Sequence, residues 1–120
     1  MKLALRSIDT QINDSQQTQL FAMTADSVVG SIVINVDRKP FLKIERLFVV
    51  ERARRCGVAR ELMLEAERLA IEGGCTNAIL TISPADIGSD VQAVYESLGY
   101  ELTYIHNCRA GEMHKRLEAS

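Results

Sequence analysis

Four arginines crowd the turn that leads from an apolar stretch of the sequence into a helix. They are Arg52, Arg54, Arg55 and Arg60. No Ser, Thr, Asp or Asn stands at the expected N-cap of that helix, so its first amide groups lack a side-chain acceptor. The helix dipole places partial positive charge at the same end, where unpaired cations cost stability. Free amides and guanidinium groups together predict an anion-binding site, and a diphosphate is the ligand that suits it best.

Small residues in the turn support this interpretation. Gly57 allows the backbone to come close to a ligand, and Ala59 keeps a position in the first helical turn small. The turn is not a Walker loop, because no Gly-Lys-Ser/Thr follows, and it lacks the G-x-G-x-x-G dinucleotide fingerprint. A solvated basic loop is the alternative, but it leaves the cost to the helix without a compensating gain.

The spacing of the apolar residues predicts strands, a helix, a strand, a second helix and final strands. Strands are expected over residues 2–8, 20–25, 28–36, 42–50, 78–83, 102–106 and 112–117. Helices are expected from Val58 to a stop at Gly73, and over residues 89–98 with Gly99 closing the second helix. The polar residues 9–19 are expected to form a loop or at most a short helix. A helix separates the fourth and fifth strands, so these two should pair in parallel within a mixed α/β sheet.

The fourth strand changes the parity of its apolar residues. Leu42 and Ile44 share one parity, whereas Leu47 and Val49 share the other. A strand keeps one face buried across such a change only if it gains an extra residue, which predicts a β-bulge near residues 45–46. The alternative is a central strand that is covered on both faces and needs no strict alternation.

Two segments of the sequence together carry a family resemblance. In the first, Arg54-x-x-Gly57-x-Ala59 follows the strand IERLFV at residues 44–49; the second is AVYESLGY at residues 93–100. They resemble the acyl-CoA signature and a later helix of the GNAT superfamily of acyl-CoA-dependent N-acetyltransferases. The resemblance extends from about Val28 to the C-terminus and implies a single GNAT-like domain over residues 1–120. The implied α/β fold has a mixed, mostly antiparallel sheet, a central parallel strand pair splayed at a β-bulge, and helices on its faces.

The resemblance also implies which residues bind acetyl-CoA, the acyl donor of that family. The backbone of the kinked strand would pair with the pantetheine arm, and the amides of the turn would wrap the pyrophosphate. Ser89 stands where the family often has an asparagine, which weakens one expected contact. The implied cofactor-binding residues are Leu47, Phe48, Val49, Arg54, Arg55, Cys56, Gly57, Val58, Ala59, Arg60 and Ser89.

Two catalytic roles follow from the same resemblance. Tyr95 matches a tyrosine that protonates the departing CoA thiolate, and Glu45 matches a glutamate that takes the proton of the amine. The amine would then attack the thioester directly, without a covalent enzyme intermediate. From the residues alone, the alternatives are that Tyr95 is a core residue of an amphipathic helix and that Glu45 is a solvated or ion-paired strand residue.

The first connection departs from the family. Residues 9–19 are too few for the two helices that usually wall the acceptor site, so the chain would be a minimal member. Its acceptor side would be open, completed by a second copy in a homodimer, or lost. A non-catalytic acyl-CoA sensor and an interaction domain for phosphorylated or acidic partners are therefore the alternative functions.

Composition excludes several other classes. A net charge of −2 and a pI near 5.7 argue against nucleic-acid or membrane partners. The N-terminal residues do not resemble a signal peptide, and three cysteines without a CxxC pair indicate a reducing cytoplasm. His106, Cys108 and His114 lack an evident fourth ligand, so no metal is expected. The sequence thus predicts a cytoplasmic enzyme acting on an amine acceptor that composition does not identify.

Overall fold

The computed structural model of the chain describes residues 3–12, 15–36, 39–54, 56–105 and 110–118. Two α-helices are described, α1 (Val58–Glu72) and α2 (Asp90–Ser97). Short 3₁₀ turns over Glu51–Ala53 and Pro84–Asp86 precede them. The strands are β1 (Ala4–Ile12), β2 (Ser15–Met23), β3 (Val28–Asn35), β4 (Phe41–Val49), β5 (Asn77–Ile82), β6 (Glu101–Ile105) and β7 (Gly111–Arg116).

The strands form one seven-stranded sheet in the order β1-β2-β3-β4-β5-β7-β6. Among the described strands, β4 and β5 are the parallel pair, and all other neighbours are antiparallel. Helix α1 makes the crossover between β4 and β5, as the sequence predicts. The mixed, mostly antiparallel sheet of the predicted fold class is confirmed.

The prediction of a loop or short helix over residues 9–19 is wrong, because residues 9–12 and 15–19 belong to two paired strands. β1 and β2 form a hairpin whose register runs from Ala4 opposite Met23 to Ile12 opposite Ser15. On the helix-facing side of this hairpin, the Thr18 hydroxyl donates a 2.7 Å hydrogen bond to Asp9. This hydrogen bond gives the buried Thr18 hydroxyl a partner at a position where a strand that faces a helix usually carries an apolar side chain.

The core lies between the sheet and its two helices, which pack on the same face. Helix α1 covers β2, β3 and β4. The link between α2 and β6 joins it there, because the buried Tyr100 hydroxyl donates to Glu67 of α1 at 2.9 Å. Lys115 of β7 reaches the same carboxylate, with its Nζ 2.7 Å from Glu67 Oε1. These three side chains connect α1, the link after α2 and strand β7.

The opposite side of the sheet carries no helix among the described residues, and we call it the bare face. Strand pairing places on it Arg6, Ile8, Thr10, Gln17, Gln19, Phe21, Ser31, Val33, Phe41, Lys43, Glu45, Arg46 and Phe48. Ile8 is 55% exposed and Phe48 58% exposed. The polar majority on this face explains why β1 and β2 can be built from residues that a two-sided sheet would exclude.

The predicted β-bulge is present at Glu45. Val33 of β3 lies opposite Arg46 and its neighbour Ile34 lies opposite Ile44, so Glu45 is an extra residue in β4. Because of it, the apolar residues on both sides of the bulge face α1, while Glu45 and Arg46 are both exposed.

Helix α1 approaches the sheet closely at one glycine. A Cβ on Gly30 of β3 would lie 2.8 Å from Val58 Cγ1, 3.1 Å from the Phe48 carbonyl oxygen and 3.2 Å from Leu62 Cδ1. Glycine therefore lets the first turn of α1 rest directly on β3 and β4. No helix in the described part of the chain is long and apolar enough to cross a membrane.

Candidate functional site

A gap opens in the middle of the sheet beyond the bulge. β4 pairs with β5 only from Phe41 opposite Asn77 to Ile44 opposite Leu80. Past that point β4 continues to Val49 beside β3, and β5 continues beside β7, but the two no longer pair with each other. The β5-facing edge of residues 45–49 therefore has no ladder partner among the described strands. An extended ligand with amide groups could hydrogen-bond to this edge as a further strand does.

The three predicted pantetheine-binding residues lie on this open stretch of β4. Leu47 and Val49 are half-buried and face α1, whereas Phe48 points to the bare face. The strand then runs directly into the arginine turn, so its free edge and the start of α1 are contiguous.

The arginine turn leaves the start of α1 open to a ligand. Gly57 is the N-cap, with a left-handed φ of 81°, and no side chain among the described residues caps the helix. The first amide with an intrahelical acceptor is that of Glu61, which donates to the Gly57 carbonyl at 3.0 Å. The amides of Val58, Ala59 and Arg60 thus point out of the helix end with the positive end of its dipole.

The arginines of the turn serve different contacts. Arg54 Nε donates to the Val49 carbonyl at 3.2 Å, which folds the turn back onto β4. Arg52 donates to the Ser27 hydroxyl at 2.7 Å. Arg60 and Cys56 are exposed beside the helix start, while Val58 is buried under it and Ala59 is half-buried. Arg55, also predicted to bind the cofactor, lies outside the described residues.

Tyr95 lies on α2, which follows the end of β5 that no longer pairs with β4. Its ring packs edge-on against Tyr100, with ring centroids 6.3 Å apart and planes at 62°. Burial, and then the charge of Asp86, raises the pKa of the Tyr95 phenol above its ordinary value near 10. The phenol is therefore a neutral proton donor at physiological pH.

Ser89 already has a structural role. It is the N-cap of α2, where its hydroxyl accepts a 3.2 Å hydrogen bond from the Val91 amide. The same hydroxyl donates to the Asp86 carbonyl. A contact between this side chain and the cofactor remains a prediction. The Ser89 hydroxyl would have to make that contact while it also caps α2.

Glu45 and Tyr95 lie on opposite sides of the sheet. The Glu45 carboxylate is on the bare face, where Gln17 Nε2 approaches it at 3.5 Å. Tyr95 packs on the helix-covered side against the core. The gap between β4 and β5 separates them, so a group held in the gap could meet a base from one side and an acid from the other.

A cavity that sequence reasoning missed lies on the bare face. It has a volume of about 370 Å³ and is lined by Thr10, Gln17, Gln19, Ser31, Val33, Arg46 and Phe48. The alternation of Gln17, Gln19 and Phe21 could have revealed the wall contributed by β2, had residues 9–19 been assigned to strands. The predicted bulge likewise implies that Arg46 shares a face with Glu45. Among the described residues, no cluster of three or more potential metal ligands is present.

Comparison with known proteins gives one family. The model of the acetyltransferase (GNAT) family matches residues 3–100. No curated protein sequence matches.

Solved structures with the same fold are numerous. The PaiA N-acetyltransferase of Thermoplasma acidophilum in complex with coenzyme A has a TM-score of 0.76 at 18% identity, over 83% of this chain and 60% of that chain. Nourseothricin acetyltransferase has a TM-score of 0.76 at 20% identity, over 85% of this chain and 66% of that chain. A streptothricin acetyltransferase assigned in Bacillus anthracis str. Ames, in complex with acetyl coenzyme A, has a TM-score of 0.83 at 16% identity, over 98% of this chain and 100% of that chain. The matched region thus spans less than two thirds of the first two structures.

Proposed function

Because the chain belongs to the acetyltransferase (GNAT) family, we propose that it transfers an acetyl group from acetyl-CoA to a primary amine. One observation carries this proposal: the gap that the Glu45 bulge opens between β4 and β5 leads directly to the uncapped start of α1. A long, amide-bearing molecule with a diphosphate at one end matches this arrangement. The two structural neighbours that contain coenzyme A and acetyl coenzyme A are consistent with it.

In the proposed complex, acetyl-CoA binds along the open edge of β4. Its pantetheine amides hydrogen-bond to the backbone of residues 47–49, which has no partner from β5. Its diphosphate accepts from the amides of Val58, Ala59 and Arg60, where the helix dipole favours negative charge. The exposed guanidinium of Arg60 adds a charge-assisted contact.

The proposed reaction is a direct attack of the neutral amine on the thioester carbonyl. A C–N bond forms, the C–S bond breaks, and the products are the N-acetylated amine and free CoA thiol. Glu45 accepts the proton that the nitrogen loses, and Tyr95 donates a proton to the sulfur as thiolate charge develops. The raised pKa of Tyr95 keeps its proton available until that charge appears.

A non-catalytic acyl-CoA sensor is the second candidate function. The observation that favours it is the bare face, because no described helix walls the side on which Glu45 would meet an amine. We propose instead that a second copy of the chain covers this side, with the exposed Ile8 and Phe48 as contacts. The free thiols of Cys56 and Cys75 fit the cytoplasmic setting expected from the sequence.

Thermal or chemical denaturation with acetyl-CoA tests the proposed donor site. Acetyl-CoA at about 100 times its Kd should raise the free energy of unfolding by about 2.7 kcal/mol. Gly57→Glu should abolish this gain, because it places bulk and negative charge where backbone amides must approach the diphosphate. Gly74→Glu is the matched control. Gly74 has a similar left-handed φ of 92° but lies at the other end of α1, so the gain should persist.

Turnover is then measured as free thiol released from acetyl-CoA with a panel of primary amines. Thiol release with at least one amine supports the acetyltransferase. Stabilisation by acetyl-CoA without release supports the sensor. An unchanged unfolding free energy in the parent protein would refute both.

A further inference from the structure

We propose that the acceptor carries a carboxylate on the carbon next to its amine, with the carboxylate bound by Arg46 and the amine beside Glu45. The proposal rests on the acetyltransferase function above and adds the chemical class of the acceptor. It follows from the bulge, the charges around it and the bare-face cavity of about 370 Å³.

The bulge brings two opposite charges together on one face. In a regular strand, consecutive side chains point to opposite faces of the sheet. Here Glu45 and Arg46 are both exposed on the bare face, although they are neighbours in the chain. Their Cα atoms are about 3.8 Å apart. A carboxylate and a guanidinium therefore stand within the span of one small zwitterion.

Arg46 supplies the only charge among the described residues that line the cavity. The other lining residues are neutral, and several of them, such as Gln17, Gln19 and Ser31, can hydrogen-bond. In the described parts of the chain, Arg46 forms no salt bridge. Its guanidinium is thus free for a ligand, and its planar fork matches a carboxylate at two points.

The remaining surface of the cavity suits an apolar or neutral side chain. Val33 and Phe48 contribute carbon atoms, and the glutamines of β2 contribute amides. A volume of about 370 Å³ lies near the lower end of the range for small-molecule sites. The cavity therefore fits an acceptor of about one amino-acid residue, with its amine directed towards Glu45 and the gap.

Matched pairs of amines that differ only in the carboxylate test this assignment. L-leucine is compared with 3-methylbutylamine, and L-phenylalanine with 2-phenylethylamine, by kcat/KM for thiol release from acetyl-CoA. The amino acid should be favoured roughly 10- to 100-fold, the range that a hydrogen bond to a charged group gives. In Arg46→Gln the ratio within each pair should fall to near one. Arg6→Gln, which removes a cation of the same face that does not line the cavity, should keep the parent ratio.

A third pair, O-phosphoethanolamine and ethanolamine, separates carboxylate recognition from general anion recognition. A preference confined to this pair would overturn the carboxylate assignment, as would equal or better use of the uncharged amines. Loss of the amino-acid preference in Arg6→Gln to the same degree as in Arg46→Gln would also overturn it.

A binding measurement keeps the inference separate from the proposed activity. The affinity of each pair of acetylated products, such as N-acetyl-L-leucine and N-(3-methylbutyl)acetamide, is measured by calorimetry in both variants and the parent. If no amine releases thiol, the acetyltransferase proposal fails, yet an Arg46-dependent preference for the carboxylate product still supports the site. Equal affinities for the two products would refute it whatever the turnover.

Discussion

Gly30→Ala should destabilise the protein because the first turn of α1 rests on this glycine. The new Cβ would lie 2.8 Å from Val58 Cγ1, 3.2 Å from Leu62 Cδ1 and 3.1 Å from the Phe48 carbonyl oxygen. The two side chains can yield by rotating, but the carbonyl belongs to β4 and can move only with the strand. Overpacking of this kind costs about 1–3 kcal/mol. For a chain of this length, that corresponds to a melting temperature lower by roughly 4–12 °C.

A second substitution tests whether contact with Val58 is the cause. Val58→Ala alone removes two buried methyl groups and should cost about 2 kcal/mol. In the double variant, the methyl group added at position 30 occupies part of the vacated space. The loss of unfolding free energy in the double variant should then be smaller than the sum of the two single losses by about 1 kcal/mol or more.

Urea denaturation is the suitable assay, followed by circular dichroism because the chain has no Trp. Gly73→Ala is the control, since its φ is −80° and the nearest atoms to an added Cβ lie 3.5 Å away. That variant should match the parent or gain up to about 1 kcal/mol. A Gly30→Ala variant within about 0.5 kcal/mol of the parent, or strictly additive losses in the double variant, would contradict the packing argument.

Three further predictions concern the tyrosines and the bare face. Tyr95→Phe should lower turnover roughly 10²–10⁴-fold with little change in acetyl-CoA affinity; a lower melting temperature with turnover within about threefold of the parent would make it a core residue. Because burial raises the pKa values of Tyr95 and Tyr100, their contribution to stability is complete below about pH 10 and is lost as the pH rises further. Melting temperatures from about pH 9 to 11.5 should show this loss, and a smaller slope in Tyr100→Phe. Light scattering should show a dimer. Ile8→Asp on the bare face should dissociate it, whereas Leu64→Asp, which places the same charge at an exposed apolar position of α1, should not. A monomeric parent protein with full turnover would refute the proposed dimer.

The parts of the fold that obey simple periodicity could be predicted from the sequence. The parity change between Ile44 and Leu47 located the bulge, because only an extra residue lets both face α1. Gly73 indicated where α1 ends. A helix of that length between β4 and β5 predicted the parallel pairing of these two strands. These features follow from rules that act within a few residues.

The parts that depend on distant partners could not be predicted. Residues 9–12 and 15–19 form strands because the face they expose is uncovered, which no local pattern shows. Glu67 sits among the apolar positions of α1, and only the fold supplies its partners Tyr100 and Lys115. The cavity beside Arg46 also needs residues from four strands, β1 to β4, to come together on one face.

The bulge at Glu45 has an evolutionary consequence. Without that one residue, β4 would read Phe-Leu-Lys-Ile-Arg-Leu-Phe-Val, a strict alternation in which every remaining side chain keeps its present face. Deleting one codon would therefore remove the reason for β4 to leave β5, and the cleft between them could close into a continuous sheet. The converse step, insertion of a single codon in a regular strand, opens a cleft without disturbing the core on either side. Binding capacity in such a sheet can thus arise or disappear in one mutational event, with the hydrophobic pattern intact throughout.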